Sequence, residues 1–447
     1  MIKPTVQQLL PAFAAVLALL AVMPADANCI DESAAEARTD ATPIEGAGGS
    51  DPRENLHNLV REALRRSQAI GAAKLLAEAA AIDVKETRAT RFPTVNVGGT
   101  IGSTRSEVGG VEEARGKQGR GTFSVTVPIF DGGRISDLTD WRESLAEAAR
   151  FGHINAQEQV ALQTVSLAIE RSRYHQQAQV YQQYARKMSC LVEALQTIVR
   201  ADRGRQSELV QAQKNQKQAE VSYAQTLSTV RQVETRLRRF VGEQLPANPV
   251  VPVTLMSVPN LPDVLAQAEG APDIAQLTAQ AEASKAFAES VKAQRWPQVS
   301  ATVSGSEVRG VGNSGTWSAG INVSMPIFNA PVGHAVDSSR KRAEAARLQR
   351  ADALESKRSR MTEVHDQAMS SFDRARRVVE VLRDSERLRN FTLQQWQQLG
   401  RRSLFDVMAS EGDHYNLRVS YVNALYDGQQ SNALLWSLGL GVQAQLK

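Results

Sequence analysis

The sequence predicts a mainly α-helical chain that also contributes four β-strands to a transmembrane β-barrel, with one structural plan used twice. Three observations carry this. Two very long spans lack helix breakers, and four short segments alternate apolar with small polar residues. A set of motifs also recurs in the same order at separations of ~200 residues, far beyond the length of a solenoid repeat.

The duplication frames every element. Arg91-Phe92-Pro93 recurs as Arg295-Trp296-Pro297, Ser106-Glu107-Val108 as Ser306-Glu307-Val308, and Val127-Pro128-Ile129-Phe130 as Met325-Pro326-Ile327-Phe328. Further on, Gly204-Arg205-Gln206-Ser207 pairs with Gly400-Arg401-Arg402-Ser403. Residues 53–250 and 251–447 are therefore read as two structural repeats, each a helix, two strands and a long helix hairpin.

From the N-terminus, Lys3 precedes an apolar run from Leu9 through Val22, and Pro24-Ala25-Asp26-Ala27 offers a small-residue cleavage site. Residues 1–27 read as a signal peptide. That run is short for a bilayer span and no later segment offers ~18 consecutive apolar residues, so any membrane contact is expected from strands. Residues 28–52, rich in Ala, Asp, Glu, Gly and Thr, read as an acidic flexible tether. The only cysteines are Cys29 and Cys190, too few for a disulfide scaffold or a zinc site. A lipoprotein would acylate Cys29, but Asp26-Ala27-Asn28 puts polar residues where a lipobox has small and aliphatic ones. This favours an unmodified cysteine; whether it pairs with Cys190 is open.

Each half opens with an Ala-rich amphipathic stretch, Leu56 to Thr90 and Leu261 to Gln294. Both are predicted to be helices that end where Pro93 and Pro297 disfavour the helical conformation of their neighbours. Period-two segments follow. Val95, Val97 and Ile101 alternate with Thr94, Asn96 and Thr100, and Phe123, Val125 and Val127 alternate with Thr122, Ser124 and Thr126. In the second half Val299, Ala301 and Val303 alternate with Gln298, Ser300 and Thr302. Trp317, Ala319, Ile321, Val323 and Met325 then alternate with Ser318, Gly320, Asn322 and Ser324. A soluble antiparallel sheet would carry Lys and Glu on its polar face. The absence of charge from both faces favours a barrel facing lipid outward and water inward.

No proline lies between Pro128 and Pro246, or between Pro331 and Lys447. His153 to Val241 holds only Gly204, and His334 to Glu411 only Gly400. Such spans, rich in Ala, Gln, Glu, Arg and Leu, predict helices far longer than the usual dozen residues. After Gly204 the apolar positions Leu209, Ala212, Ala219, Tyr223, Leu227, Val230, Leu237 and Val241 follow three-and-four spacing, the pattern of coiled-coil packing. Gly204 and Gly400 are read as hairpin tips. A limb of ~70 residues from Gly133 to Gly204 would extend roughly 105 Å. The return limb to Gly242 is about half as long, and the opening helix supplies the rest. Four strands cannot close a membrane barrel, which needs at least about eight, so the chain must oligomerise. Two, three or more copies are arithmetically possible.

The order of elements resembles the TolC family of outer-membrane channel proteins over nearly the whole mature chain. The motifs that carry the resemblance are Val127-Pro128-Ile129-Phe130-Asp131-Gly132-Gly133, Met325-Pro326-Ile327-Phe328-Asn329, and Gly400-Arg401-Arg402-Ser403-Leu404-Phe405-Asp406-Val407. The resemblance implies a homotrimer with a twelve-stranded barrel in outer-membrane lipid and a helical tunnel through the periplasm. It also implies a periplasmic adaptor, or membrane fusion protein, meeting the hairpin tips and an inner-membrane ABC or proton-driven pump behind it.

In that family a polar network near the second tip closes the periplasmic end, and its arginine and aspartate fall on Arg402 and Asp406. Such a pair can hold helices together by charge-assisted hydrogen bonds. The plainer alternative is an exposed i, i+4 pair. Gly204, Arg205, Gly400 and Arg401 complete the candidate tip. The chain departs from the pattern at Gln397, Ala409 and Val210, so fewer charges, or others such as Glu208 and Glu411, are expected to close the gate.

Other classes fit poorly. With 52 basic and 48 acidic residues the chain has no basic stripe for nucleic acid. His57, His153, His175, His334, His365 and His414 lack metal-ligand spacing. Gly110 to Lys117 has one residue too many for a phosphate loop, is followed by Gln118, and sits between strands. No cofactor and no enzymatic activity are expected. A surface coiled-coil protein, structural or adhesive, would explain the helices but not the strands. Between cargoes, Tyr421-Val422-Asn423-Ala424-Leu425-Tyr426-Asp427 looks more like type I protein secretion members, and the missing lipobox speaks against the lipoprotein multidrug branch.

Overall fold

The computed structural model describes residues 52–108, 111–246, 253–399 and 401–446, with the backbone alone for 106–108, 111–114, 398 and 399. The signal peptide, Cys29, nearly all of the tether, Gly110 and Gly400 lie outside the described residues. In order the elements are α1 (Pro52–Arg66), α2 (Gln68–Ala89), β1 (Thr94–Val108), β2 (Val111–Phe130), α3 (Arg134–Ala201) and α4 (Gln206–Val241). The second half gives α5 (Leu261–Ala266), α6 (Pro272–Ala293), β3 (Gln298–Gly310), β4 (Ser314–Ser324), α7 (Ala330–Leu399), α8 (Leu404–Leu438) and the short α9 (Val442–Leu446).

Both opening helices, expected to be continuous, are broken. At Ser67 the side chain caps α2 by accepting from Ile70 N at 3.4 Å, and the preference of serine for an N-cap outweighs the flanking alanines. In the second half a turn at Ala268–Gly270 separates α5 from α6, and Pro272 stands at the start of α6. Proline without an N–H belongs to a helix's first turn and not its interior. The candidate phosphate segment from Val111 to Lys117 is part of β2.

Contacts divide the chain into two compact units. One comprises 171–233 and 373–425; the other comprises 52–170, 234–372 and the residues from 426 onward. The first is all helix. Its core joins Met188, Leu191, Val192 and Leu195 of α3 to Ala212 of α4 and Leu404, Val407 and Met408 of α8.

The second unit holds the antiparallel sheet, in the order β1-β2-β3-β4, and, among the described residues, two helical cores. Ala63, Ile70, Val160, Leu237 and Val241 form one, and Val264, Ile274, Leu354, Met361, Val364 and Leu435 the other. Polar clasps fix its connections. Asn432 Nδ2 donates to Leu255 O and Ser257 O at 2.9 and 2.8 Å, and Lys357 Nζ reaches both oxygens of Asp273 at 2.7 and 2.8 Å. Glu158, buried, accepts the backbone N–H of Val442. Burial pushes its carboxyl up, while N–H groups of Val442 and Gln443 pull it down.

The long helices bury seams of small residues. In α4 Ala212, Ala219, Thr226 and Val233 recur at seven, with Val230 and Leu237 each four residues beyond Thr226 and Val233. Thr226 and Val233 thus lie in the seam, while Leu227 is half-buried. Thr226 enters because its hydroxyl donates to Ser222 O at 2.8 Å, so burial leaves no free donor. In α7 Lys357, Met361, Val364, Ala368, Ser371 and Ala375 follow the same alternation of fours and threes.

Candidate channel wall and helix tips

Residues paired across an antiparallel sheet share a face. The register puts Val95, Val125, Val303 and Ala319 in one row, Val97, Phe123, Gly305 and Trp317 in the next, and Val127, Ala301 and Ile321 in a third. The opposite face carries Thr94, Thr126, Thr302 and Gly320, then Asn96, Ser124, Ser304 and Ser318, then Gly98, Thr122, Ser306 and Thr316. Exposure of 80% for Val97, 92% for Ile101, 81% for Trp317 and 70% for Ile321 leaves a contiguous apolar face without cover in the single chain. Such a face marks a surface that meets lipid or protein.

The uncharged spans Thr94–Thr104, Gly121–Phe130, Gln298–Ser306 and Ser314–Ser324 each have the ~9–11 residues of a transmembrane strand. Beyond them the strands continue past the expected ends and do carry charge, at Arg105, Arg115, Lys117, Arg120, Glu307 and Arg309. All of that charge lies at the sheet end remote from the helices. At the helix-bearing end stand four exposed aromatics, Phe92, Phe130, Trp296 and Phe328. An apolar band with aromatics at its rim is the signature of a membrane barrel wall. Pro128, which cannot donate to a ladder, sits at a register shift between Pro128 and Phe130.

The tips belong to the all-helical unit. The first is the turn Arg203–Arg205, where Asp202 Oδ1 accepts from Gly204 N at 2.9 Å and Arg205 Nε lies 3.9 Å from Asp202 Oδ2. At the second, Arg401 N donates to Gln395 O at 3.2 Å and Arg402 Nε to Gln395 Oε1 at 3.3 Å. Asp406 has another partner. Its Oδ2 accepts from Ser403 N at 3.1 Å while Ser403 Oγ accepts from Asp406 N at 3.2 Å, a capping box that starts α8. Within one chain the i, i+4 pair of Arg402 and Asp406 is therefore replaced by two local attachments. Gly204, Arg205, Arg401, Arg402 and Asp406 are all exposed, as are Gln397, Val210 and Ala409.

A second polar group lies deeper. Arg389 of α7 and Glu411 of α8, 6% and 1% exposed, approach to 3.6 Å. His414 is buried beside them, its ring edge-on to Tyr415 at 5.7 Å. Tyr415 in turn meets Tyr184 of α3 at 4.9 Å and lies under Arg418. Burial, then the cations of Arg389 and Arg418, push the His414 imidazole down to about 4. Burial, Glu411 and Asp413 hold the Tyr184 phenol above its ordinary value. Further along, Asn423 Oδ1 accepts from Arg173 Nε and Nη2 at 2.9 and 2.7 Å and from Gln177. Of these only Glu411 had been named from sequence as a gate candidate. Arg389 falls on the buried heptad phase of α7, and an arginine in that phase was the available signal.

Comparison with known proteins agrees with this geometry. A family model described as Outer membrane efflux protein matches residues 59–243 and 265–439. No curated protein sequence matches the chain. A solved structure of CusC, whose study concerns transmembrane channel formation, is similar at a TM-score of 0.78 and 17% identity, covering 90% of this chain and 97% of that one. The Vibrio cholerae outer membrane protein VceC matches at 0.75 and 17%, covering 87% and 96%. The Campylobacter jejuni CmeC outer membrane channel matches at 0.73 and 14%, covering 88% of each. With the family matched in both repeats, and a sheet whose one face suits lipid and the other water, the chain belongs to the outer membrane efflux protein family, the TolC-like channels of the outer membrane.

Proposed function

We propose that this chain is the exit duct of a tripartite export system. Three copies close a twelve-stranded barrel in the outer membrane, and the helices continue it through the periplasm. The observation that carries this reading is the register, which over the uncharged spans sorts side chains into an apolar face and a face of Ser, Thr, Asn and Gly. The exposed tips at Arg203–Arg205 and Arg401–Ser403 are the docking points for a periplasmic adaptor, behind which stands an ABC or proton-driven pump. Residues 1–27 are removed on export, and 28–52 tether the two repeats that span 53–250 and 251–447.

The cargo of this duct is a secreted protein. The likeness of the segment Tyr421 to Asp427 to type I secretion members supports that reading. The family's description as efflux proteins supports export of small toxic molecules as the second reading. Arg402 and Asp406 close the duct between copies, where their outward charges can meet other chains. Planar-bilayer recording tests the duct: assembled oligomers conduct poorly, and R402A or D406A raises conductance several-fold. Oligomers that never conduct sink the reading. Export of a reporter protein against resistance to a dye, in cells lacking their own duct, decides between the cargoes.

A further inference from the structure

Helix gives way to strand twice by the same local route. In the first half Thr90 N donates to Thr87 O at 3.2 Å, Arg91 N to Arg88 O at 3.2 Å and Phe92 N to Ala89 O at 2.9 Å. In the second half Gln294 N donates to Val291 O at 3.2 Å, Arg295 N to Lys292 O at 3.2 Å and Trp296 N to Ala293 O at 3.1 Å. A proline then forces extended backbone into β1 or β3, strands that run the same way with β2 between them. The Arg-aromatic-Pro step is therefore displayed twice at the helix-bearing end of the sheet.

Its arginine and aromatic side chains are exposed. Phe92 and Trp296 are 69% and 57% exposed. Arg91 and Arg295 are exposed, and among the described residues neither guanidinium has a hydrogen-bond or ion-pair partner. The neighbouring cations are engaged: Arg88 with Glu143, and Lys292 with Glu289 at 2.7 Å. A third arginine, Arg134 at the start of α3, has a buried Nε without a hydrogen-bond partner. The turn leading to it passes close to Trp296. Gly132 has φ 66°, and a Cβ there would fall 2.5 Å from Trp296 Cβ, so only glycine lets the backbone lie against this residue.

An exposed aromatic at the rim of a lipid-facing band sits at headgroup depth, and a cation beside it reaches the phosphate. We propose that Arg91 and Arg295 form two equivalent sites for the headgroup phosphate of anionic phospholipids in the periplasm-facing leaflet, with Phe92 and Trp296 beneath them against the glycerol and upper acyl chain. A zwitterionic lipid brings its own ammonium, which competes with the guanidinium for the same phosphate. An anionic lipid leaves the phosphate to the arginine. Lipid is favoured over a protein partner because Phe92, Phe130, Trp296 and Phe328, all exposed, gather at the helix-bearing end of the sheet, where the uncharged strand spans stop.

Trp296 reports on its own site. The full-length oligomer is reconstituted in vesicles containing brominated phosphatidylglycerol or brominated phosphatidylethanolamine at equal mole fraction, and the signal of W296F is subtracted. The brominated anionic lipid should quench Trp296 more strongly, with a relative affinity about fivefold higher per arginine and weaker in high salt. F92W in the W296F background reads the first-half site in the same way. R91Q/R295Q should bring the two lipids to parity, and R91K/R295K should keep the preference. Equal quenching by both lipids in the unaltered protein overturns the proposal without any variant, as does a preference that survives R91Q/R295Q in assembled oligomers.

Discussion

Arg389 and Glu411 are the residues whose loss should be felt most. Removing one partner leaves a charge in a site 1–6% exposed, which typically costs about 3–5 kcal/mol. R389A or E411A should lower the unfolding free energy of the helical unit by that amount, seen as a fall in its urea midpoint in the fluorescence of Trp396. R389M/E411L should recover most of it, and a double variant no better than the singles would show that packing, not charge, sets the cost. His414 adds a pH dependence. Its folded value of about 4 lies below the 6.5 of an unperturbed imidazole, so the unfolded chain binds the proton first. Stability present above pH 6.5 is lost as pH falls toward 4, by at most about 3 kcal/mol, and changes no further below. The facing groups are Arg389, Glu411, Tyr415, Arg418 and Tyr184, whose charges at these pH values oppose protonation or are already paired. Hydrogen exchange of peptides spanning 383–418 should accelerate over that window, and H414Q should flatten the response.

The capping box belongs to the scale of the helix. S403A removes the acceptor for Asp406 N and should cost about 1 kcal/mol, seen as fraying of the first turn of α8 in hydrogen exchange with no change at α4. Elements were legible in the sequence where local chemistry decides them. Breaker-free spans became α3, α4, α7 and α8, and period-two segments became the cores of the four strands. Ser67 and Pro272 were misread because alanine-rich flanks masked a cap and a first-turn proline. The strand extensions were missed because Arg105, Lys117 and Arg309 break the alternation that marks a lipid face. The local partners of the proposed gate residues follow from a nearer contact. The i, i+4 rule sees Arg402 and Asp406, but Ser403 offers Asp406 a nearer partner. Arg389 and His414 were hidden because burial of a charged side chain depends on the phase of two helices together.

For the assembled molecule the decisive fact is that β1 and β4 are each paired on one side only. An open edge cannot persist in lipid, so the proposed duct closes by joining the edges of neighbouring copies. Native mass spectrometry of the detergent-extracted protein should show three copies and no stable monomer, and a closed dimer or tetramer would refute the trimer.

Glu158 sets a schedule. Its carboxylate waits for the N–H of Val442, which arrives 284 residues later in the chain, and Arg53 likewise waits for the carbonyl of Gln445 at 3.2 Å. A chain delivered N-terminus first through a translocation pore thus carries an unclosed unit, with its seams and sheet edges bare, for nearly the whole of its export. The order of the chain therefore decides when this unit can close, because its last contacts are made by its last residues.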